Sequence, residues 1–278
     1  MADFLKTLNP KNITGLDLSN KGLTEFPMKI LEFKELRWLD LCVNQLTSIP
    51  PEISQLVNLR ELQLSVNHLT SIPAELGKLV KLEALWLNGN KLTSVPSELG
   101  QLINLQKLFL GSNQLTSIPA ELGQLANLQK LSLSWNKLTS VPAELGQLNN
   151  LQELWFGYNK LTSVPAELGQ LGKLQKVSFD SNQLTSVPAE LGQLNNLQEL
   201  WFGYNQLTSI PAELGRLAKL RDVRLSGNKL TSIPAEWERF NIPLVAKAAP
   251  PEEALQKALQ EVLQEMTALM RKLSELAD

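Results

Sequence analysis

Leucine and other apolar residues recur along this chain at regular intervals. The repeating pattern is Leu-x-x-Leu-x-Leu-x-x-Asn-x-Leu, and the copy from Leu105 to Leu115 is typical. Its asparagine recurs at a constant spacing in nine consecutive copies, at Asn44, Asn67, Asn90, Asn113, Asn136, Asn159, Asn182, Asn205 and Asn228. An earlier copy, starting at Ile13, has Lys21 at the asparagine position. The pattern therefore predicts ten repeats over residues 13–240.

Each repeat contains a short strand followed by a return segment. Leu108 and Leu110 are separated by one residue, so in a strand they face the same side. One strand and one return segment cannot bury these leucines alone, and stacked neighbours are needed to complete the core. The sequence thus predicts an α/β solenoid with a parallel β-sheet on one face and short helical turns on the other.

The return segment has its own recurring residues, as in Leu138–Leu148. Pro142 has a counterpart in every repeat and suits either an extended approach or the first turn of a short helix. Gly146 is expected to end that helical turn with a positive φ. The recurring asparagine can donate and accept hydrogen bonds, so it is expected to satisfy backbone groups at each strand end as a stacked ladder.

Residues 13–240 strongly resemble the leucine-rich-repeat family. The Leu-Thr-x-Ile/Val-Pro-x-Glu-Leu form, and the opening segment Leu16–Thr24, resemble the 23-residue intracellular Ras-group type and its bacterial and protist counterparts. The resemblance implies a right-handed solenoid, shaped as a horseshoe or arc, with the sheet on its concave face and the helical turns on its convex face. It also implies binding of other proteins, usually on the concave sheet, but does not name the partner.

The repeats differ most at strand positions that point away from the leucines. These positions lie six, four, two and one before the ladder asparagine, and they hold five of the six tryptophans and both tyrosines. Exposed clusters of large rings mark interaction sites, and tryptophan and tyrosine are enriched in binding hot spots. The predicted partner-binding residues are Trp38, Trp86, Phe109, Trp135, Trp155, Tyr158, Asp180, Trp201, Tyr204 and Arg224.

Two structural interpretations compete with recognition at these positions. The rings can simply pack on one another, with Gly157 and Gly203 leaving room for Trp155 and Trp201 to lie flat. The charges six positions before the asparagine alternate in sign on adjacent strands, at Lys130, Glu153, Lys176 and Glu199. These charges predict cross-strand ion pairs that serve mainly solubility and register.

Composition excludes several functional classes. The chain has 26 basic and 28 acidic residues, so it lacks the basic field that a nucleic-acid-binding protein needs. Its single cysteine, Cys42, and single histidine, His68, cannot build a His/Cys zinc site, and the acidic residues of the return segments recur as architecture. We expect no enzyme activity and no cofactor. The start lacks a signal peptide's apolar segment, and no apolar run approaches ~20 residues, so we expect a cytoplasmic protein without membrane contact.

The ends of the chain follow other patterns. Residues 1–12 are predicted to cap the first repeat, and residues 241–251 form a Pro/Ala connector. Residues 252–278 predict an amphipathic helix, since apolar residues from Leu255 to Leu276 step by four and three. This helix could dock on the solenoid, mediate self-association or contact a further domain.

Three functions remain open from the sequence. The leading hypothesis is a module that binds a protein partner on its concave face. A second is a structural or designed scaffold without a natural ligand, because Leu138–Asn159 and Leu184–Asn205 are identical throughout, as expected from duplication or a consensus. A third is the regulatory repeat domain of a larger signalling protein.

Overall fold

The strands stack in chain order into one sheet. The structure is a computed structural model that describes residues 9–10 and 12–242. In this part of the chain ten parallel strands pair with their sequence neighbours: β1 (Gly15–Asp17), β2 (Trp38–Asp40), β3 (Glu61–Gln63), β4 (Ala84–Trp86), β5 (Lys107–Phe109), β6 (Lys130–Ser132), β7 (Glu153–Trp155), β8 (Lys176–Ser178), β9 (Glu199–Trp201) and β10 (Asp222–Arg224). The predicted parallel sheet is therefore confirmed.

A short helical turn follows each strand, as predicted. The turns are 3-10 helices at Met28–Glu32, Pro51–Gln55, Ala74–Lys78, Ser97–Gln101, Ala120–Gln124, Ala143–Gln147, Ala166–Gln170, Ala189–Gln193 and Ala235–Phe240, and one α-helical turn, α1, at Ala212–Gly215. Pro142 precedes its turn with φ −61° and ψ 137°, in extended backbone. The recurring proline therefore serves the extended approach, the first of its two predicted roles.

The core is one continuous cluster of leucine, valine, isoleucine and phenylalanine between the sheet and the turns. The middle residue of each strand points into it, and Leu131, Leu154 and Val177 are aligned across three strands. Phe156, Phe179 and Phe202 occupy one core position in consecutive repeats. Their rings stack at 5.6 and 5.2 Å between centroids. Stacking of repeats supplies this burial, which no single repeat could achieve.

The asparagine ladder has the predicted function. The Nδ2 of Asn136 donates to the carbonyl oxygens of Leu110 and Leu133, both at 3.0 Å. Its Oδ1 accepts the N–H of Leu115 at 2.9 Å. Because Leu110 and Leu115 belong to the preceding repeat, each buried asparagine joins two repeats as well as closing its own turn.

The glycine of the return segment has a different role from the one predicted. Among the described glycines, positive φ occurs at Gly22, Gly89 and Gly227, so the expectation for Gly146 is wrong. A Cβ at Gly146 would overlap the carbonyl oxygen of Glu167 and lie 2.8 Å from its carbonyl carbon. Glycine is needed here because the next repeat packs directly against its backbone.

Positive φ occurs instead at the residue directly before each ladder position. All ten repeats show it, at Asn20, Val43, Val66, Gly89, Ser112, Trp135, Tyr158, Ser181, Tyr204 and Gly227. A left-handed residue lets the chain turn out of the strand while the following asparagine points inward. We call these ten positions the rim.

The last described return segment carries large rings where earlier repeats have leucines. Trp237 is fully buried in the core, and its indole N–H donates to the carbonyl oxygen of Pro211 at 2.9 Å. Its ring lies 5.6 Å from that of Phe240. The predicted cap at 1–12 and connector at 241–251 lie largely outside the described residues, and the predicted helix at 252–278 lies wholly outside them.

Candidate functional site

The predicted partner-binding residues lie on the side of the sheet opposite the leucine core, or on the rim. We call that side the sheet face. It carries the residues six and four positions before each ladder asparagine. The residue two positions before the asparagine lies between the sheet face and the rim. The sheet face holds Trp38, Trp86, Phe109, Trp155, Trp201 and Arg224, and the rim holds Trp135, Tyr158 and Tyr204, with Asp180 between them. None of these side chains belongs to the core cluster.

Trp86 and Phe109 form a stacked pair on adjacent strands β4 and β5. Their ring centroids are 6.1 Å apart and the planes differ by 15°. Trp86 is 9% exposed and Phe109 is 6% exposed, so the expectation that these rings are exposed is wrong. The two rings form a buried apolar pair on the sheet face.

Trp155 and Trp201 meet above Ser178, which lies between them on β8. Their centroids are 5.3 Å apart and their planes are tilted by 56°, so the two rings do not both lie flat on the sheet. The space at Gly203 is used by Asp180, whose Oδ1 accepts the N–H of Gly203 at 2.7 Å and would lie 3.2 Å from a Cβ there. That glycine accommodates a carboxylate, not the indoles as predicted.

Trp201 is held on two sides by the tenth repeat. Its indole N–H donates to Asp222 Oδ2 at 3.1 Å, and the guanidinium carbon of Arg224 lies 3.7 Å from its ring centroid. The indole is 7% exposed, so the expected exposure is wrong here too. Asp222 was not among the predicted residues. The sequence feature that could have identified it is a carboxylate on the strand directly after a strand that carries a tryptophan.

Trp155 has a different environment, although it lies in an identical segment. The next strand presents Lys176 and Ser178 where Trp201 meets Asp222 and Arg224. Trp155 stays partly exposed. The ring pair therefore has a fixed member and an accessible one.

Trp135 and Tyr158 form a second stacked pair, on the rim. Their centroids are 3.7 Å apart and their planes differ by 8°. Both residues are partly exposed and have positive φ, at 60° and 58°. A side chain in this conformation costs roughly 1–2 kcal/mol. Gly89 takes the same position without that cost.

Tyr204 on the rim and Trp38 on β2 complete the aromatic set. Tyr204 is partly exposed, has a φ of 54° and lies against Gly227, where a Cβ would approach its ring. Trp38 packs on Gly15, where a Cβ would lie 3.0 Å from its Cε3. Its Nε1 is buried and has no hydrogen-bond partner in the described structure. One strand, β3, separates Trp38 from the ring pair of Trp86.

Two ionisable groups beside Trp38 are perturbed by their surroundings. Burial raises the pKa of Asp40, although its Oδ1 accepts the N–H of Cys42 at 2.7 Å. Burial, and then the nearby carboxylate of Asp40, raise the pKa of the Cys42 thiol far above its usual range. Such a thiol is a poor nucleophile at neutral pH.

The predicted cross-strand charges are partly paired. Lys130 contacts Glu153 at 2.9 Å, and Lys176 contacts Glu199 at the same distance.

Across residues 9–10 and 12–242, no group of three or more histidine, cysteine or carboxylate side chains is placed to hold a metal ion. No helix in this range is long and apolar enough to cross a membrane.

Comparison with known proteins places these features in a context. The family described as leucine-rich repeat region matches residues 19–135 and 120–277. A leucine-rich-repeat protein of Leptospira interrogans is 34% identical, with a TM-score of 0.60 over 87% of this chain and 72% of that one. The plant peptide hormone receptor RGFR1, solved in complex with RGF2, is 32% identical, with a TM-score of 0.59 over 77% of this chain and 44% of the receptor chain. No curated protein matches the chain.

Proposed function

This chain belongs to the leucine-rich-repeat family, and on that premise we propose that it is a protein-binding module whose partner contacts the aromatic side chains of the sheet face and rim. The solved receptor of the same fold, in complex with RGF2, supports recognition of a peptide or protein. Fold alone does not assign a function, so the proposal depends on the side chains.

The observation that carries the proposal is the set of large, partly exposed rings on the rim. All ten rim positions have positive φ, because the turn out of the strand requires it. Three of the ten, Trp135, Tyr158 and Tyr204, carry a large ring where a glycine would avoid the conformational cost. Their partly exposed rings offer rigid apolar surface that loses little side-chain entropy on binding.

The predicted residues divide into a support and a contact layer. Trp86, Phe109 and Trp201 are less than a tenth exposed, so they hold the surface in place. Trp155, Trp135, Tyr158 and Tyr204 are available to a partner, with Asp180 and Arg224 as polar neighbours. Trp38 belongs to the N-terminal part of the same face. Such a layer can anchor an interface of about 800 Å² on each side.

The proposal is tested by affinity capture with mass spectrometry, comparing wild type with Trp155→Ala. Val80→Ala, an exposed apolar side chain away from the sheet face, is the matched control. We expect wild type and control to retain a partner that Trp155→Ala loses, with a binding loss of about 2 kcal/mol or more. Retention by Trp155→Ala and Trp135→Gly alike would contradict the proposal, and wild type that retains no partner would favour a scaffold without a natural ligand.

Three further proposals come from the sequence. A cytoplasmic location is checked by cell fractionation, and secretion would contradict it. A regulatory role in a larger signalling protein is checked by the full reading frame around this chain, and a frame without a catalytic domain would contradict it. Self-association through residues 252–278 is tested as described in the Discussion.

A further inference from the structure

On the sheet face and around the rim, the repeats that carry Trp135, Trp155 and Tyr158, together with the two repeats before them, have an excess of positive charge. In the repeats of β4–β7, five lysines lie on the sheet face, on the rim or directly after a ladder asparagine. They are Lys91, Lys107, Lys130, Lys137 and Lys160. The single carboxylate at these positions is Glu153, so five positive charges against one negative give a formal charge of +4, in a chain whose net charge is −2. We call these five lysines and the three rings the basic aromatic patch.

The excess of positive charge is concentrated in this part of the sheet face, although Lys176 on β8 and Arg224 on β10 are also basic. The corresponding positions of β1–β3 hold Asp17, Asp40 and Glu61 and neither lysine nor arginine. The sheet face is therefore acidic at its N-terminal strands and basic at its middle strands. A uniform solubilising surface would not show this separation of sign.

Internal contacts neutralise little of the patch. Within the described residues, Lys130 has a carboxylate partner in Glu153, and Lys137 donates to the neutral Oε1 of Gln114 at 3.1 Å. Lys107 is aligned with Lys130 on the next strand, so two like charges are neighbours. Like charges directly opposite on adjacent strands are destabilising, and an anionic partner would remove that cost.

We propose that the basic aromatic patch binds an acidic peptide segment of the partner that also carries apolar side chains. This inference rests on the proposed function and adds the chemistry of the partner. The apolar side chains pack on Trp155 and on the Trp135–Tyr158 pair, while the carboxylates of the segment meet Lys107, Lys137 and Lys160. A peptide fits better than nucleic acid, because Trp135 and Tyr158 already stack at 3.7 Å and leave no gap between them for a base.

The test is a selection from a random dodecapeptide library on phage. The 278-residue chain is compared with the double variant Lys137→Glu, Lys160→Glu. The matched control is Lys78→Glu, Lys81→Glu, which changes the net charge equally at exposed positions of the return segments. One synthetic peptide from the wild-type selection is then measured by calorimetry in low and high salt.

We expect wild type and control to enrich acidic peptides with aromatic or aliphatic residues, and the charge-reversed variant to lose that preference. The synthetic peptide should bind the reversed variant at least about tenfold more weakly and the control within about twofold. Raising the salt concentration about tenfold should weaken binding at least about fivefold, since exposed charges are screened.

Other outcomes separate the inference from the proposed function. If the wild type enriches neutral or basic peptides, or none, the proposal of an acidic peptide segment is overturned. The proposed protein-binding function is then still tested separately by the affinity-capture experiment. Acidic peptides that bind Trp155→Ala and Trp135→Gly as well as wild type overturn the aromatic site itself. A single-stranded oligo-dT that binds as tightly as the peptide overturns the peptide in favour of nucleic acid.

Discussion

At the scale of single residues, identical segments of this protein produce different surfaces. Trp155 and Trp201 occupy the same place in the identical segments Leu138–Asn159 and Leu184–Asn205, yet Trp201 is fixed by Asp222 and Arg224 while Trp155 remains accessible. The difference comes from the following repeat. Whether the indole is fixed or accessible is therefore decided by the neighbouring repeat and not by the segment itself.

The two tryptophans should respond differently to truncation. We predict that Trp201→Ala lowers the free energy of unfolding by about 3 kcal/mol, because a nearly buried ring is removed and the indole's contact with Asp222 is lost. Trp155→Ala should cost less than half as much. Urea denaturation monitored by circular dichroism measures both, and equal losses would contradict the assignment of Trp155 to the contact layer.

Trp135 offers a test in which stability and binding separate. Trp135→Gly removes stacking worth ~0.5–1.5 kcal/mol but also relieves a positive φ that costs ~1–2 kcal/mol. We predict stability within about 1 kcal/mol of wild type, together with loss of partner binding. Trp135→Ala keeps the unfavourable φ and should be the less stable of the two; the opposite order would show that the rim is not strained.

Asp40 predicts a dependence of stability on pH. Its pKa is raised mainly by burial, so the native state favours the protonated acid and loses stability as the pH rises through the native pKa. Asp40→Asn keeps an oxygen for the N–H of Cys42 and should raise the urea midpoint at pH 7.5 more than at pH 4. Glu52→Gln, at an exposed position of a return segment, is the control, and an equal gain from Asp40→Asn at both pH values would refute the prediction.

At the scale of the repeat, two recurring small residues have different roles. Asn136 satisfies carbonyl groups of two repeats, and its role follows from its side-chain chemistry. Gly146 has no side chain from which to infer a role. Its requirement comes from the carbonyl group of Glu167, which belongs to the next repeat.

Two glycines of the return segments provide a matched pair. Gly146→Ala should lower the free energy of unfolding by about 1–3 kcal/mol, because the new methyl group overlaps the Glu167 backbone and forces the repeats apart. Gly172 has open space around its Cα, and Gly172→Ala should be neutral or slightly stabilising. Thermal unfolding compares the two, and similar melting temperatures would argue against close packing at Gly146.

At the scale of the whole molecule, the described residues build one sheet from ten copies of one unit. Each repeat contacts its neighbours in the same register, so the sheet face extends evenly from β1 to β10. Variation at four positions per repeat is then displayed on one surface. This arrangement lets the side chains of that surface vary while the core stays the same.

Self-association is the prediction that belongs to this scale. Leu259 and Met266 belong to the apolar stripe that the sequence predicts for residues 252–278. If this stripe mediates self-association, and not docking on the solenoid or contact with a further domain, the chain forms a concentration-dependent dimer that Leu259→Asp with Met266→Asp dissociates. Size-exclusion chromatography with light scattering measures the mass. Gln260→Asp with Gln264→Asp, at polar positions of the same segment, is the control, and a wild-type monomer would contradict self-association.

The sequence by itself determined the repeat, the strand, the return turn and the asparagine ladder. Each depends on local spacing that recurs in every repeat, such as the alternation of Leu108 and Leu110. It also predicted that the tryptophans of the strands lie outside the core, because the strand alternation decides which side of the sheet a side chain faces. A period of two in a strand requires no knowledge of the neighbour.

The tertiary structure alone decided which rings are covered and why the glycines recur. The exposure of Trp86, the fixation of Trp201 by Asp222 and the close approach at Gly146 all depend on contacts between successive repeats. Residues one repeat apart in the chain become neighbours only when the repeats stack. Their packing is set by the side chains of both repeats, so neither sequence segment specifies it alone.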